Sequence, residues 1–153
     1  MLMAIIAYYN LKAKQYDIIT AFLYAVITKH KIYVKQPYGF EVIYEDGTVP
    51  CCLLLKALYG LKQSPLLWFN ELTNFLIGKG FIPLASDPCI FQHQVNNTII
   101  AVYVDDLIMA AKLLADIAAT AAVIADRFEM HDLGDVSFYL GCRIIRDRTA
   151  RKL

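Results

Sequence analysis

The chain has 153 residues, of which 58% are hydrophobic and 19% are charged, and its 15 basic and 14 acidic residues leave a net charge of +1. This composition excludes a disordered tail and predicts one domain with a single buried core. The nearly neutral charge is unlike that of a free-standing nucleic-acid binder, so any contact with nucleic acid has to be local.

The apolar and cysteine patterns exclude further classes of protein. The most apolar runs, residues 1–9 and 99–111, are much shorter than the roughly 20 residues of a membrane-spanning helix, and the first lacks the features of a signal peptide. The four cysteines show no CxxC spacing and form no metal-ligand pattern with the three histidines, so neither a zinc site nor a disulfide framework is expected. The mean hydropathy of +0.46 fits a core element whose usual partner segments are missing.

Apolar periodicity and turn residues predict four elements in the first part of the chain. These are a helix over residues 1–12 that loses its pattern near Asn10, a strand over residues 15–19, a helix over residues 20–27, and a hairpin over residues 44–50 around Asp46-Gly47.

The remaining elements follow from clearer signals. Ser64-Pro65 predicts a helix start, because serine accepts a hydrogen bond from a free backbone N–H and proline suits the first helical position. Gly78 and Gly80 predict its end. The later elements are a hairpin of residues 98–104 and 107–111, a helix marked by Ile117, Ala121, Ile124 and Phe128, and a strand within residues 136–145. Together they predict an α+β fold with a mainly antiparallel sheet covered by helices on one face.

Two adjacent carboxylates, Asp105 and Asp106, stand at the predicted tip of the second hairpin, between two apolar runs. Like charges this close repel each other unless a cation neutralises them, which makes a divalent metal a natural partner. Asp17 stands alone among apolar residues at the end of the first predicted strand. If that strand lies beside the hairpin, three oxygen-bearing side chains converge, and such a set suits magnesium better than zinc.

Six segments resemble, in the same order, the sequence blocks of one family. Residues 103–106 (YVDD) resemble the catalytic hairpin of reverse transcriptases, and residues 16–23 (YDIITAFL) resemble their first aspartate motif. Residues 58–68 (LYGLKQSPLLW) closely resemble the signature of copia-type LTR retrotransposon polymerases. The other blocks are residues 32–40 (IYVKQPYGF), 128–134 (FEMHDLG) and 138–144 (FYLGCRI), so the likeness covers nearly the whole chain.

The resemblance implies RNA-directed and DNA-directed DNA synthesis by a nucleotidyltransferase that uses two magnesium ions, with manganese as a substitute. The catalytic and metal-binding residues that it implies are Asp17, Asp105 and Asp106. The nucleotide-binding residues would be Phe22, which would block a ribose 2′-hydroxyl, and Tyr59, Gly60, Lys62, Ser64, Pro65, Tyr103 and Val104. The primer grip would be Phe138, Tyr139, Leu140 and Gly141. His131 stands where relatives commonly carry lysine, which makes it a candidate for protonating the leaving pyrophosphate.

The implied partners are an RNA or DNA template with its primer, deoxynucleoside triphosphates and the remainder of a retrotransposon polyprotein, without a membrane. The expected location is the cytoplasmic particle of the element, with the nucleus as the alternative. Residues 1–153 are expected to form an incomplete palm-type domain that lacks the N-terminal part of the fingers, the thumb and the ribonuclease H domain. Leu66 departs from the family where a basic residue is frequent, and Tyr24-Ala25 replaces a usual polar pair.

Simpler interpretations remain open for several of these residues. Asp105-Asp106 can be an ordinary solvated turn, Asp17 a helix cap, Phe22 a core residue and Lys62 a solvated lysine. For the whole chain, the alternative is a catalytically inactive remnant that at most binds RNA or protein. A phospho-receiver domain is set aside, because its paired acids come near its first strand and its single acceptor acid comes later, the reverse of the order here.

Overall fold

A computed structural model describes residues 2–29 and 31–152, which divide into two compact units. The larger unit contains residues 2–21 and 72–152, and the smaller contains residues 22–71. In chain order the elements are α1 (Leu2–Tyr8), β1 (Lys12–Ile18), a 3₁₀ helix (Ala21–Tyr24), β2 (Tyr33–Val34), β3 (Cys52–Leu53), α2 (Ser64–Gly78), β4 (Phe81–Leu84), β5 (Asp87–His93), β6 (Ile99–Tyr103), β7 (Asp106–Ala111), α3 (Leu114–Ala125), β8 (Met130–Asp135), β9 (Phe138–Tyr139) and β10 (Cys142–Arg143).

The larger unit is built on a six-stranded sheet with the order β4-β5-β6-β7-β1-β8. Every neighbouring pair in this sheet is antiparallel. The predicted α+β class and mainly antiparallel sheet are therefore confirmed. Within the part of the chain that the structure describes, no helix has the length and apolar character needed to cross a membrane.

Both faces of the central strand β7 are buried. Ile108 and Ala110 belong to the same core cluster as residues of α1. Leu107 and Met109 alternate with them and therefore point to the opposite face, where each is 0% exposed. The prediction that only one face of the sheet is covered is therefore wrong at β7, where both faces are buried. A continuous apolar run in a central strand is typical of a strand that is covered on both sides.

Helix α1 ends in a left-handed cap. Asn10 has a φ of +50°, and its N–H donates to the carbonyl of Ala7 at 3.1 Å. The N–H of Leu11 donates to the carbonyl of Ile6 at 2.9 Å. These two bonds and the positive φ form a Schellman motif, which leads the chain directly into β1. The predicted loss of helical pattern near Asn10 is confirmed.

The edge strand β8 contains a bulge against β1. Gln15 pairs with Gly134 and Tyr16 pairs with Asp132, so Leu133 is an extra residue with no register partner in β1. Gly134 has a φ of +84°, a conformation that glycine adopts without steric cost. The bulge therefore lies one pair before the end of β1 that carries the carboxylate site.

The smaller unit contains a short two-stranded ribbon and the start of α2. β2 and β3 are antiparallel, and a bridge between Val26 and Lys56 extends their contact. The predicted turn at Asp46-Gly47 is confirmed, but its flanking residues form no regular strand. Helix α2 begins at Ser64 and ends at Gly78 as predicted, although the Ser64 hydroxyl donates to the carbonyl of Leu58 instead of accepting from the helix.

Two of the predicted elements need correction, and three strands were not predicted. Residues 20–27 form only a short 3₁₀ helix, because Thr20 has a φ of +53° and Val26 pairs with another segment. Residues 136–145 form two short strands joined by a turn, not one strand. The sequence prediction also missed β4, β5 and β8, and β8 is polar because it forms an edge of the sheet.

Candidate active site

The β6–β7 hairpin closes through a strained two-residue turn. Tyr103 pairs with Asp106, so Val104 and Asp105 form the turn between them. Val104 has a φ of +57°, whereas the φ of Asp105 is negative. A turn with positive φ at its first central position normally carries glycine there. A β-branched residue in this conformation indicates strain at the hairpin tip, a condition that is frequent at functional sites.

Four side chains form one row across the sheet, which we call the site row: Tyr103, Asp106, Asp17 and His131. Tyr103 pairs with Asp106, Asp106 pairs with Asp17, and Asp17 pairs with His131. Register partners in antiparallel strands lie on the same face, with Cβ atoms about 4.5–5.5 Å apart. The N–H of Ile18 donates to the carbonyl of Asp105 at 2.9 Å, which holds the hairpin tip beside β1. The predicted convergence of Asp17 with the aspartate pair is therefore present.

The pKa of Asp17 is raised from its ordinary value. Burial is the largest cause, and the charges of Asp105 and then Asp106 add to it. His131 acts in the opposite direction and lowers the pKa of Asp17. The carboxylates are thus close enough to repel each other, and the site favours a positive charge or a proton.

The donor set fits magnesium in its chemistry. All three aspartates offer oxygen, the ligand type that this ion prefers. As placed, however, the described side chains of residues 2–29 and 31–152 include no group of three or more His, Cys, Asp or Glu that could hold a metal ion. Metal binding would require the carboxylates to turn toward a common centre.

Gln15 is a site residue that the sequence prediction missed. Its Nε2 donates to Oδ1 of Asp106 at 3.4 Å, and the alternation of β1 puts it on the same face as Asp17. The signal was available, since a polar residue two positions before a strand-end aspartate shares its face. Gln15 therefore lies within hydrogen-bond distance of the carboxylate of Asp106.

The predicted primer-grip residues form a hairpin next to the site row. Tyr139 pairs with Cys142, and Leu140 and Gly141 make the turn with φ values of +49° and +80°. Tyr139 is half-buried against the core cluster. Burial raises the pKa of Tyr139 to about 12, and the charge of Asp106 is the next cause. The β9–β10 hairpin therefore places a tyrosine close to one of the three aspartates.

The other predicted nucleotide-binding residues lie in the smaller unit. The rings of Phe22 and Tyr59 contact each other with centroids 4.3 Å apart. Phe22 is buried and Tyr59 is exposed, while Gly60 has a φ of +90° in the turn before α2. Lys62 is exposed, and Ser64 and Pro65 begin α2. Their placement supports a core role for Phe22 within this unit and leaves its predicted contact with the sugar as a prediction.

The fold and this site define an α+β protein with one carboxylate in a hairpin turn, a second at the start of the following strand and a third on the adjoining strand. The family described as reverse transcriptase (RNA-dependent DNA polymerase) matches residues 1–153. The chain is 37% identical over 155 residues to the retrovirus-related Pol polyprotein from transposon TNT 1-94 of Nicotiana tabacum, a match that covers 99% of this chain and 11% of that relative.

Two further relatives agree with this match. The Pol polyprotein from transposon RE1 of Arabidopsis thaliana is 35% identical over 142 residues, covering 92% of this chain and 10% of the relative. A putative transposon Ty5-1 protein of Saccharomyces cerevisiae is 35% identical over 130 residues, covering 84% of this chain and 41% of the relative. The chain belongs to the reverse transcriptase family, as the copia-type motifs predicted, and it spans about a tenth of the first two polyproteins.

Proposed function

We propose that this chain is the palm-type part of an RNA-directed DNA polymerase and that Asp17, Asp105 and Asp106 form its catalytic centre. The observation that carries the proposal is the register of β1 with β7, which pairs Asp17 with Asp106 directly beside the Asp105 turn. A structural role for three converging carboxylates is a poor explanation, because charges of one sign directly opposite each other destabilise a sheet.

The proposed chemistry is the joining of a deoxynucleotide to a primer end with loss of pyrophosphate. Two magnesium ions, when bound, would activate the primer 3′-hydroxyl and neutralise the charge of the transferring phosphate. Asp17 and Asp105 would hold them, with Asp106 as the third carboxylate. Gln15 would keep the carboxylate of Asp106 in one orientation, since its amide donates to Oδ1. Tyr139, on the neighbouring hairpin, would contact the primer end.

The template, the primer, deoxynucleoside triphosphates and the rest of a polyprotein are the proposed partners. Tyr59 and Gly60 would contact the nucleotide, because an exposed ring can stack on a base and a glycine with a φ of +90° lets the backbone approach a ligand closely. His131 would face the leaving pyrophosphate from the end of the site row, where it is the register partner of Asp17.

Primer extension tests this function in two contexts. The first is the 153-residue chain alone, and the second is the tobacco transposon polyprotein in which this chain replaces the matching segment. In an active context, Asp105→Asn should reduce extension at least about 100-fold, the scale on which one preorganised electrostatic group acts. Asp116→Asn is the matched control, because Asp116 lies in the first turn of α3, beyond the opposite end of β7.

The outcomes separate the proposal from its rival. Extension by the chimera that is lost with Asp105→Asn and kept with Asp116→Asn supports a working catalytic centre. If the chimera folds but extends no primer, the chain is the inactive remnant, and its capacity to bind RNA or protein becomes the remaining function. Extension that survives Asp105→Asn would reject the proposed catalytic residues.

A further inference from the structure

Arg146 joins the end of helix α1 to the chain that leaves the β9–β10 hairpin. Its Nη1 donates to the carbonyl of Leu11 at 2.6 Å, and its Nη2 donates to the carbonyl of Ile6 at 3.1 Å. Nη2 also lies 3.3 Å from Oδ1 of Asn10. One guanidinium therefore contacts three residues of the Schellman motif that ends α1.

The electrostatics of this contact are favourable. The carbonyls at the end of a helix carry partial negative charge, and a cation placed against them is stabilised. Burial, and next the charge of Arg148, lower the pKa of Arg146, while Asp135 opposes that shift. An arginine remains protonated in proteins, and its planar fork can serve several acceptors at once, which a lysine cannot do.

The segment that Arg146 anchors is continuous with the hairpin. The N–H of Ile144 donates to the carbonyl of Ser137 at 2.9 Å, which extends the β9–β10 pairing toward Arg146. On the other side of the contact, Leu11 immediately precedes β1, the strand that carries Asp17. The guanidinium thus bridges the hairpin that carries Tyr139 and the strand that carries a carboxylate of the site row.

We propose that Arg146 is a positioning residue that holds the β9–β10 hairpin at a fixed distance from β1 and so places Tyr139 beside Asp106. We call the hydrogen bonds of Arg146 to Ile6, Asn10 and Leu11 the clamp; all of them lie within the larger unit. The effect of the clamp on the primer end rests on the proposed polymerase function. Arg148 is not an equivalent clamp, because within the described residues its guanidinium hydrogen-bonds to the Asn10 side chain alone, through Nη1 at 3.3 Å.

Hydrogen exchange of the 153-residue chain tests the clamp without any need for activity. Arg146→Met should accelerate exchange of the Ile144 amide about tenfold or more, the scale of one lost charge-assisted hydrogen bond, while amides of the β6–β7 ladder keep their protection. Arg146→Lys should remain closer to Arg146→Met than to the unchanged chain. Arg148→Met should leave exchange in the hairpin unchanged.

A second control separates the cap from the clamp. Asn10→Gly removes the amide acceptor but keeps a residue suited to a positive φ, so α1 should still end correctly and the hairpin should stay protected. Unchanged exchange at Ile144 in Arg146→Met would overturn the proposal. So would an equal effect of Arg148→Met, because the contact of Arg148 with the cap is peripheral. If Arg146→Met unfolds the chain, the exchange of the Ile144 amide in Arg146→Lys tests the proposal. Full protection of that amide in Arg146→Lys would also overturn the proposal.

The functional consequence is measured in the chimeric polyprotein. Arg146→Met should raise the KM for primer–template about tenfold and leave the KM for the nucleotide unchanged, whereas a general loss of folded protein would lower the active fraction without this split. An equal rise in both constants would reject the positioning role. If exchange changes as predicted but no chimera extends primers, the clamp stands and the proposed polymerase function fails.

Discussion

Asp17 and Asp106 are register partners on β1 and β7, two carboxylates placed directly opposite each other on one face of a sheet. Asp105 follows at the adjoining turn, where its carbonyl accepts a hydrogen bond from Ile18. The ion pair between Lys14 on β1 and Asp132 on β8, at 3.7 Å, involves neither Asp17 nor Asp106. The folded chain therefore carries a built-in repulsion that a bound cation would relieve.

Replacing Asp17 by asparagine should stabilise the metal-free chain at neutral pH. Like charges directly opposite in a sheet are destabilising, on the scale of the about 0.2–1 kcal/mol that a favourable cross-strand pair contributes, and Asp17→Asn removes one of them without a change in shape. The free energy of unfolding, measured by urea titration in the presence of a chelator, should rise by this amount. Asp116→Asn, at the start of α3, should give no such gain. A loss of stability in Asp17→Asn would show that the carboxylate is already neutralised.

The stability gain from Asp17→Asn should depend on pH. The folded state raises the pKa of Asp17 above its ordinary value of 3.8, so the folded chain holds this proton more tightly than the unfolded chain. The stabilisation by the proton is complete below pH 3.8 and is lost as the pH rises through the folded-state pKa. The difference between Asp17→Asn and the unchanged chain should therefore be small in acid and reach its full size at neutral pH. A difference that is constant with pH would contradict the raised pKa.

Divalent cations should raise the melting temperature of the unchanged chain. A ligand that binds only the folded state at 100 times its Kd stabilises it by about 2.7 kcal/mol. Scanning calorimetry with magnesium or manganese should show this increase, and Asp17→Asn and Asp105→Asn should each abolish most of it. Asp116→Asn should respond like the unchanged chain. Equal stabilisation of all four proteins would indicate general salt effects, not a site.

Glycine at position 104 should stabilise the hairpin. A β-branched residue with a φ of +57° is strained by about 1–3 kcal/mol, whereas glycine adopts this conformation freely. Val104→Gly should therefore raise the melting temperature despite the greater freedom of the unfolded chain. Val95→Gly is the control, since Val95 is 83% exposed in a turn and lacks a positive φ, and it should lower stability or leave it unchanged. A lower melting temperature in Val104→Gly would show that Val104 contributes contacts that outweigh the strain.

Shortening Phe22 should alter sugar selection if this ring blocks a ribose 2′-hydroxyl. Phe22→Val in the chimeric polyprotein should raise the ratio of ribonucleotide to deoxynucleotide kcat/KM, a ratio that does not depend on how much protein is folded. Stability should also fall, by less than the about 3–5 kcal/mol of full truncation to alanine, because Phe22 is buried against Tyr59. Phe40→Val, at a residue that is 79% exposed, should change neither property. A stability loss with an unchanged ratio would assign Phe22 to the core alone.

The parts of the fold that could be predicted are those whose local signals agree with their surroundings. The start of helix α2 at Ser64 and its end at Gly78 could be predicted from Ser64-Pro65, from the glycines at its end and from the apolar stripe of Trp68, Leu72 and Leu76, although Ser64 does not cap the helix. The flanking apolar runs also predict the β6–β7 hairpin, but its turn lies one residue earlier than predicted: Val104 and Asp105 form the turn, and Asp106 is the first residue of β7. These features are encoded within a few neighbouring residues.

The parts that escaped prediction depend on pairing between distant segments. The residues MHDLGD of β8 have no apolar alternation, and they form a strand only because β1 offers free backbone groups at its edge. Residues 20–27 have helical composition, yet the positive φ of Thr20 and the bridge of Val26 to Lys56 prevent a helix. The contacts of Gln15 and Arg146 could not be predicted either, because they join distant parts of the chain whose pairing the sequence does not show.

The bulge in β8 decides which chemical group faces Asp17. On the far side of the bulge Lys14 pairs with Asp135 and Gln15 with Gly134, and a regular continuation of that register would bring Asp132 opposite Asp17. The extra residue reverses the face on which the neighbouring side chains of β8 lie. The imidazole of His131 therefore faces Asp17, and the carboxylate of Asp132 lies on the other face of the sheet. Deleting Leu133 would leave this arrangement intact, whereas deleting His131 and closing the bulge would place Asp132 opposite Asp17, so that a fourth carboxylate would replace the imidazole.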